Sequence, residues 1–207
     1  MEYISNRLAI IFFSFSLFPA FVNAADSSWV FGIAQSNVHI GGGMDGLTSV
    51  SGGGSTEVFP LLEDSTGTKI SIGIYNFELS LNISDHEGIW QGAPYDAQYR
   101  GFNLDYVKPF NLSNRFKPVV LFGVGAGSVI VNNGSIGATT EDATIFQSVF
   151  RYGLGLHIRI SNATFLEFMS IRYSGEYTSI NGVQDGTITS DINSKGTINT
   201  IGIKVLF

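Results

Sequence analysis

Three histidines, His39, His86 and His157, are the residues of this chain best suited to acid–base or metal chemistry near neutral pH. His157 stands four residues before Ser161 and ten before Glu167, the residue types that nucleophilic acyl transfer would use. The spacing argues against such a set. Four residues of extended chain hold His157 and Ser161 about 13 Å apart, beyond hydrogen-bond reach. A metal centre needs its ligands clustered, whereas His39 and His86 fall near one end of their predicted strands and His157 near the other. Residues 41–46, Gly-Gly-Gly-Met-Asp-Gly, match the dinucleotide fingerprint literally. That fingerprint needs a helix after it and an acid about 20 residues on. More glycines follow instead, at 52–54, so a surface loop is expected. The sequence therefore predicts no catalytic residue, no cofactor and no metal.

Composition sets the frame for these residues. The chain has 207 residues, no cysteine and a net charge of −6. One domain suffices for this length, disulfides and thiolate chemistry are excluded, and an acidic chain with no basic patch argues against nucleic acid as a partner. Charged residues are only 14% of the chain, against roughly 25% in soluble domains. Glycines number 25, about 12% against a usual 7% or so. Low charge is useful where an outer face meets lipid, since a charge there costs a few kcal/mol.

The first 24 residues have the form of a signal peptide. A short segment ends in Arg7, an apolar stretch runs from Leu8 to Phe21, and Val22-Asn23-Ala24 places cleavage after Ala24. A retained anchor is the rival reading. Beyond this segment no apolar run approaches the roughly 20 residues of a spanning helix.

Residues 25–207 alternate with period two instead. The apolar sets are Trp29-Phe31-Ile33, Ile70-Ile72-Ile74, Phe77-Leu79-Leu81-Ile83, Phe102-Leu104-Tyr106, Phe150 through Ile160 on even numbers, and Ile201-Ile203-Val205-Phe207. Two further runs span 116–131 and 163–178. The apolar phase slips from even to odd between Ile74 and Phe77. A slip of one residue turns side chains to the opposite face, so either a turn divides 68–84, giving eight strands, or one bulged strand runs through, giving seven. Even numbers are the rule in bacterial barrels. Long polar connections at 41–67, 85–98, 132–143 and 179–196 alternate with short ones near 76–77, 111–115 and 161–162. The predicted fold is therefore all-β: an eight-stranded antiparallel up-and-down transmembrane barrel over residues 25–207.

In such a barrel, Trp29, Tyr106, Phe110 and Phe207 fall at strand ends, where interfacial aromatics belong. The opposite stripe carries Glu78, Asp105, Arg151, His157, Arg159 and Lys204. The bore of eight strands is just filled by side chains, so these residues are expected to form a polar lumen network of mixed sign. The phase of 163–178 stays open: Leu166 and Phe168 share a face with Arg172, and Glu167 shares one with Ile171. In the second long connection, Trp90 and Tyr95 are the residues best suited to contact a partner, or to cap the barrel mouth.

Phe110, Arg115-Phe116-Lys117-Pro118 and Leu121 through Gly127 resemble the central hairpin of OmpA-like and OmpX-like small outer-membrane barrels. Gly153-Leu154-Gly155-Leu156, the Ser161-Asn162 turn and Leu166-Glu167-Phe168 look like the next hairpin of that family. The last strand, with Ile203, Val205 and terminal Phe207, is similar to the signal that the barrel-assembly machinery reads. The resemblance implies an outer-membrane location reached through the periplasm, with membrane lipid, lipopolysaccharide and that machinery as partners. It does not imply one activity. A non-enzymatic barrel, structural or presenting loops to a host or surface ligand, is the expected function. A narrow porin, or a lipid A-modifying enzyme, is the alternative; the His157–Ser161–Glu167 spacing departs from the deacylase pattern.

Overall fold

The computed structural model describes residues 29–43, 49–52, 55–58, 61–90, 93–132, 143–181 and 193–207. The predicted signal peptide and its cleavage site at Ala24 lie outside them. Eight long strands make up the fold: β1 (Trp29–Gly42), β2 (Ser65–Ile74), β3 (Phe77–Trp90), β4 (Ala93–Pro109), β5 (Phe116–Val131), β6 (Ala143–Arg159), β7 (Thr164–Asn181) and β8 (Asn193–Leu206). Each pairs antiparallel with the next, and β8 pairs with β1, closing the sheet on itself. Closure leaves no long edge unpaired. A short hairpin, Ser49–Gly52 with Ser55–Val58, and the pair Leu61–Leu62, which adds to β3, lie between β1 and β2.

The register fixes the barrel's stagger. One row of paired residues runs Gly32, Ser71, Ser80, Asn103, Gly125, Val149, Gly175, Ser194 and returns to β1 at Gly42, ten residues from its start. Eight strands with this stagger tilt by about 40° to the barrel axis.

One end of the barrel, called the inner end below, holds the start of β1, the end of β8 and three tight turns. The turn between β2 and β3 contains Tyr75, whose φ of 55° is left-handed, and Ile74 pairs directly with Phe77. That two-residue connection produces the phase slip: Ile70, Ile72 and Ile74 point outward on even numbers, and Phe77 to Ile83 outward on odd ones. Ser113 Oγ accepts from the backbone of Arg115 and Phe116 in the second turn. Ser161 Oγ accepts from Ala163 and Thr164 in the third.

Two features differ from the sequence expectation. Residues 85–98 are not a long loop: β3 and β4 stay paired from Asp85 opposite Gln98 to Trp90 opposite Ala93. Strand 163–178 needs no bulge to reconcile its two phases. Its odd residues face inward without interruption from Phe165 to Tyr177, and a register shift comes only between Tyr177 and Ser179.

Both features have one cause, a reversal of polarity along the barrel. In the inner half the exposed outer face is apolar (Ile72, Leu79, Leu104, Phe122, Leu154, Ile201) and the buried lumen carries the charged groups (Glu78, Asp105, Glu167, Lys204) with Ser71, beside the apolar Val107, Val119, Leu121 and Met169. In the outer half the outer face is polar, with Asp85, Glu87, Asp96, Ser174 and Lys195 exposed. There the lumen holds most of an apolar cluster, including Val38, Ile40, Val129, Ile145, Ile171 and Ile198, together with the buried polar side chains of Ser84, His86, Gln147 and Ser194.

Candidate functional site

The inner half of the lumen gathers ionisable groups onto one carboxylate. Glu167 on β7 faces inward because the odd residues of that strand do. Lys204 on β8 reaches it with 2.6 Å between Nζ and Oε2, and also donates to Glu78 Oε1 at 2.5 Å. Lys69 on β2 stands 3.5 Å from Glu167 Oε1. His157, the direct cross-strand neighbour of Glu167 on β6, donates from Nε2 to Oε2 at 2.9 Å. Slightly further out, Arg151 pairs with Asp105 at 3.4 Å. Asp105 also accepts from Ser80 Oγ, which accepts in turn from Asn103. Three carboxylates thus meet two lysines, one arginine and one histidine, all buried. Buried charges persist when they are paired in this way.

The lumen is too narrow to hold these groups beside ordinary side chains. At Gly123 a Cβ would come within 2.2 Å of an Asp105 carboxylate oxygen. Glycine on β5 is therefore a space requirement of the ion pair on β4. At the inner mouth the ring of Phe165 lies under Lys117 and Arg159, at 5.3 and 5.8 Å, with the His157 ring 6.1 Å away.

Of the residues expected in the lumen, Glu78, Asp105, Arg151, His157 and Lys204 are buried inside. The structure brings Glu78 to Lys204 and Asp105 to Arg151, and joins His157 to them only through Glu167. Arg159 is half-buried at the mouth, against Phe165 rather than a carboxylate. Lys69 and Glu167 are the members sequence reasoning missed. Lys69 was visible as the inward alternate of the Ile70–Ile74 stripe. Glu167 was hidden by the ambiguous phase of its strand.

The acyl-transfer set is not assembled. His157 and Glu167 meet, but Ser161 is exposed and its oxygen is held by the turn backbone. His39 and His86 lie on opposite faces of the wall. His39 points outward and pairs with Asp64 at 2.5 Å. His86 points inward, donates from Nδ1 to the Glu63 carbonyl at 2.8 Å, and accepts at Nε2 from Ser84 Oγ at 2.7 Å. Burial lowers the pKa of His86 from its ordinary value, so it holds this neutral form. Among the described residues no three potential ligands gather around a metal position.

At the outer end, Tyr95 is half-buried against the apolar cluster rather than free. It is an inward alternate of β4, and apolar contact awaits it there. Trp90 ends β3, and its side chain lies outside the described residues. A cleft of about 610 Å³ opens on the wall nearby, lined chiefly by Asp85, Glu87, Asp96, Gln98, Arg100 and Ile130. Glu87 and Asp96 are direct cross-strand neighbours, a like-charge pairing that is destabilising by itself. Gln98 donates to Asp85 at 2.9 Å and accepts from Arg100 at 2.6 Å. The terminal strand runs its apolar stripe Ile201, Ile203, Val205 and Phe207 along the outside, and Phe207 donates its N–H to the Trp29 carbonyl at 3.1 Å.

No family model matches this chain, and no curated protein matches it in sequence. Solved structures do resemble it. The Neisserial surface protein A structure superposes with a TM-score of 0.57 at 11% identity, over 87% of this chain and 98% of the other. The outer membrane protein OprG from Pseudomonas aeruginosa superposes at 0.49 and 11%, over 87% and 97%. The likeness is one of fold: a small eight-stranded barrel of the kind found in outer membranes.

Proposed function

We propose that this protein is an integral outer-membrane barrel of the OmpA-like and OmpX-like kind, without enzymatic activity, that presents its outer half for adhesion or contact with a host or surface ligand. The carrying observation is the reversal of polarity along the strands. An apolar outside over a paired, charged lumen suits hydrocarbon. A polar outside over an apolar core suits water. The outer strands extend well beyond the apolar belt, and the acidic cleft on β3–β5 is the surface offered to a basic or cationic partner.

Residues 1–24 direct export, and Ile203, Val205 and Phe207 serve the assembly machinery. Membrane lipid and lipopolysaccharide surround the inner half. The lumen supports a closed barrel rather than a porin, because Phe165 and the Glu167 cluster cross it. Boiling is expected to shift the protein's gel mobility, and surface proteolysis of intact cells to cut only the outer half. Recovery of the chain as soluble periplasmic protein overturns the placement. Stable single-channel steps in planar bilayers overturn the closed lumen, and a changed lipid A mass spectrum on expression overturns the non-enzymatic reading.

A further inference from the structure

The apolar belt is not the same height all round. On β6 the outward residues Phe150 to Ile160 are apolar without a break, about 25 Å along the barrel axis at the tilt given above. On β8 the stripe runs only from Ile201 to Phe207, about 15 Å, and on β1 from Trp29 to Ile33, about 10 Å. A full belt is about 25 Å. Above the short stripe the outward residues form polar rows across four strands. Ser170, Asn199, Asn37 and Thr66 are successive register partners, and Arg172, Thr197 and His39 form the row above. All but Thr197, which is half-buried, are exposed.

The lower row stands level with apolar residues on the far wall, and His39 in the upper row stands level with Arg100. The register from Gln35 passes through Thr68 and Ile83 to Arg100. A stagger of ten over eight strands climbs about one and a quarter residues per strand. Gln35 is therefore level with Leu104, and Asn37 with Phe102. Tilting the barrel moves the two belts relative to each other but cannot lengthen the short one. The β7–β8–β1–β2 face needs a polar occupant where the opposite face needs hydrocarbon.

Charge selects the occupant. Arg172 lies diagonally across from Lys195, whose register partner is Ser174. Neither cation has an ion pair among the described residues. The acids nearby are Asp64, engaged by His39, and Glu176, two residues beyond Ser174. A second copy placed by a two-fold axis would set these cations against themselves. Resting on the outer-membrane reading, we propose that this face binds the phosphorylated, hydroxyl-rich headgroup of an outer-leaflet glycolipid, drawn down along β7–β8–β1–β2. Arg172 and Lys195 meet phosphate, and the Ser, Asn and Thr rows meet sugar hydroxyls.

The probes are bisphosphorylated lipid A and its dephosphorylated form, bound to the whole protein in micelles. Nitroxides at Asn37→Cys and Phe102→Cys report depth in bilayers containing lipid A. Each cation near an anionic surface contributes about fivefold in affinity, so Arg172→Gln/Lys195→Gln is expected to lose about thirtyfold toward the bisphosphorylated probe. Lys108→Gln, an exposed outward lysine at the inner end, is expected to lose nothing, and gel mobility verifies that each variant folds. The Asn37 nitroxide should be reached by a water-soluble relaxant while the Phe102 nitroxide is reached only by oxygen. No preference for phosphate, or equal lipid exposure at the two positions, overturns the inference alone. A concentration-dependent dimer that shields Asn37 from both relaxants overturns it in favour of a second copy. A water-exposed Phe102 overturns the membrane placement itself, and this inference with it.

Discussion

Two residues on one strand mark the boundary between two kinds of interior. Ser36 and Val38 both face the lumen from β1 and both are fully buried. Ser36 looks into the charged half, and its hydroxyl has no hydrogen-bond partner. Val38 belongs to the apolar cluster. The inner half is held by a few directed, charged contacts whose loss leaves partners stranded. The outer half is held by close packing of many small contributions, as a soluble core is. One continuous sheet thus carries two stabilising mechanisms, each suited to what its outer face meets.

The comparison breaks hardest at Glu167. Removing its charge leaves Lys69, Lys204 and His157 facing one another in a buried space. Stranding a buried charge costs about 3–5 kcal/mol, so Glu167→Gln is expected to lower the urea midpoint of the refolded barrel by a corresponding amount. Pairing it with Lys204→Met is expected to recover part of the loss, which would not happen if packing alone mattered. In the outer half, Ile198→Ala removes apolar volume and is expected to cost about 2–4 kcal/mol. Ser36→Val, by contrast, replaces an unsatisfied hydroxyl and is expected to be neutral or slightly stabilising. A loss from Ser36→Val comparable to that from Ile198→Ala would erase the distinction between the halves.

The same reversal explains what the sequence disclosed. Alternation with the apolar residues outside marked β1 through β3 and β8 at their inner ends, and the slip at Ile74–Phe77 placed the first turn. Where polarity reverses, a pattern that expects apolar residues outside takes strand for loop. Asp85, Glu87 and Asp96 alternate with His86, Gly88, Ala97 and Tyr95 as regularly as the inner residues do, with the signs exchanged. On β7 the reversal falls within one strand: Leu166 and Phe168 are outward below it, Ile171 and Tyr173 inward above it. Two phases then coexist without a bulge, and Glu167 could not be assigned a face. The lumen residues on unambiguous strands were legible, and their partners were not, because pairing across the bore depends on stagger, which no local pattern records.

Packing in the outer half also has a limit that a smaller change can reach. Gly196 on β8 faces Tyr173, which donates its hydroxyl to the His39 carbonyl at 3.3 Å. A Cβ at Gly196 would come within 2.2 Å of both the Tyr173 oxygen and that carbonyl. Since the carbonyl is backbone, something must shift. Gly196→Ala is expected to cost about 1–3 kcal/mol. Adding Tyr173→Phe, which removes only the oxygen, should relieve part of it in a double-mutant cycle. Additive losses would mean that the two residues do not share this space.

The smallest effect sharpens the comparison by pH. His86 sits among the inward residues of the outer half, yet it is polar, and it ties Glu63 to β3 through its neutral ring. Burial lowers its folded pKa below the ordinary 6.5. The unfolded chain therefore takes up a proton first as pH falls. The stability contributed by the neutral ring is fully present above 6.5 and is lost as pH drops through the lowered folded value. Around the ring stand His39, Asp64 and Asp85; the two acids favour its protonation and narrow the window. His86→Gln keeps an amide donor for the Glu63 carbonyl but no titration. Thermal midpoints measured from pH 7.5 to 5 are expected to fall more steeply in the native protein than in this variant. Parallel slopes would show that the His86 ring is not the source of the acid sensitivity.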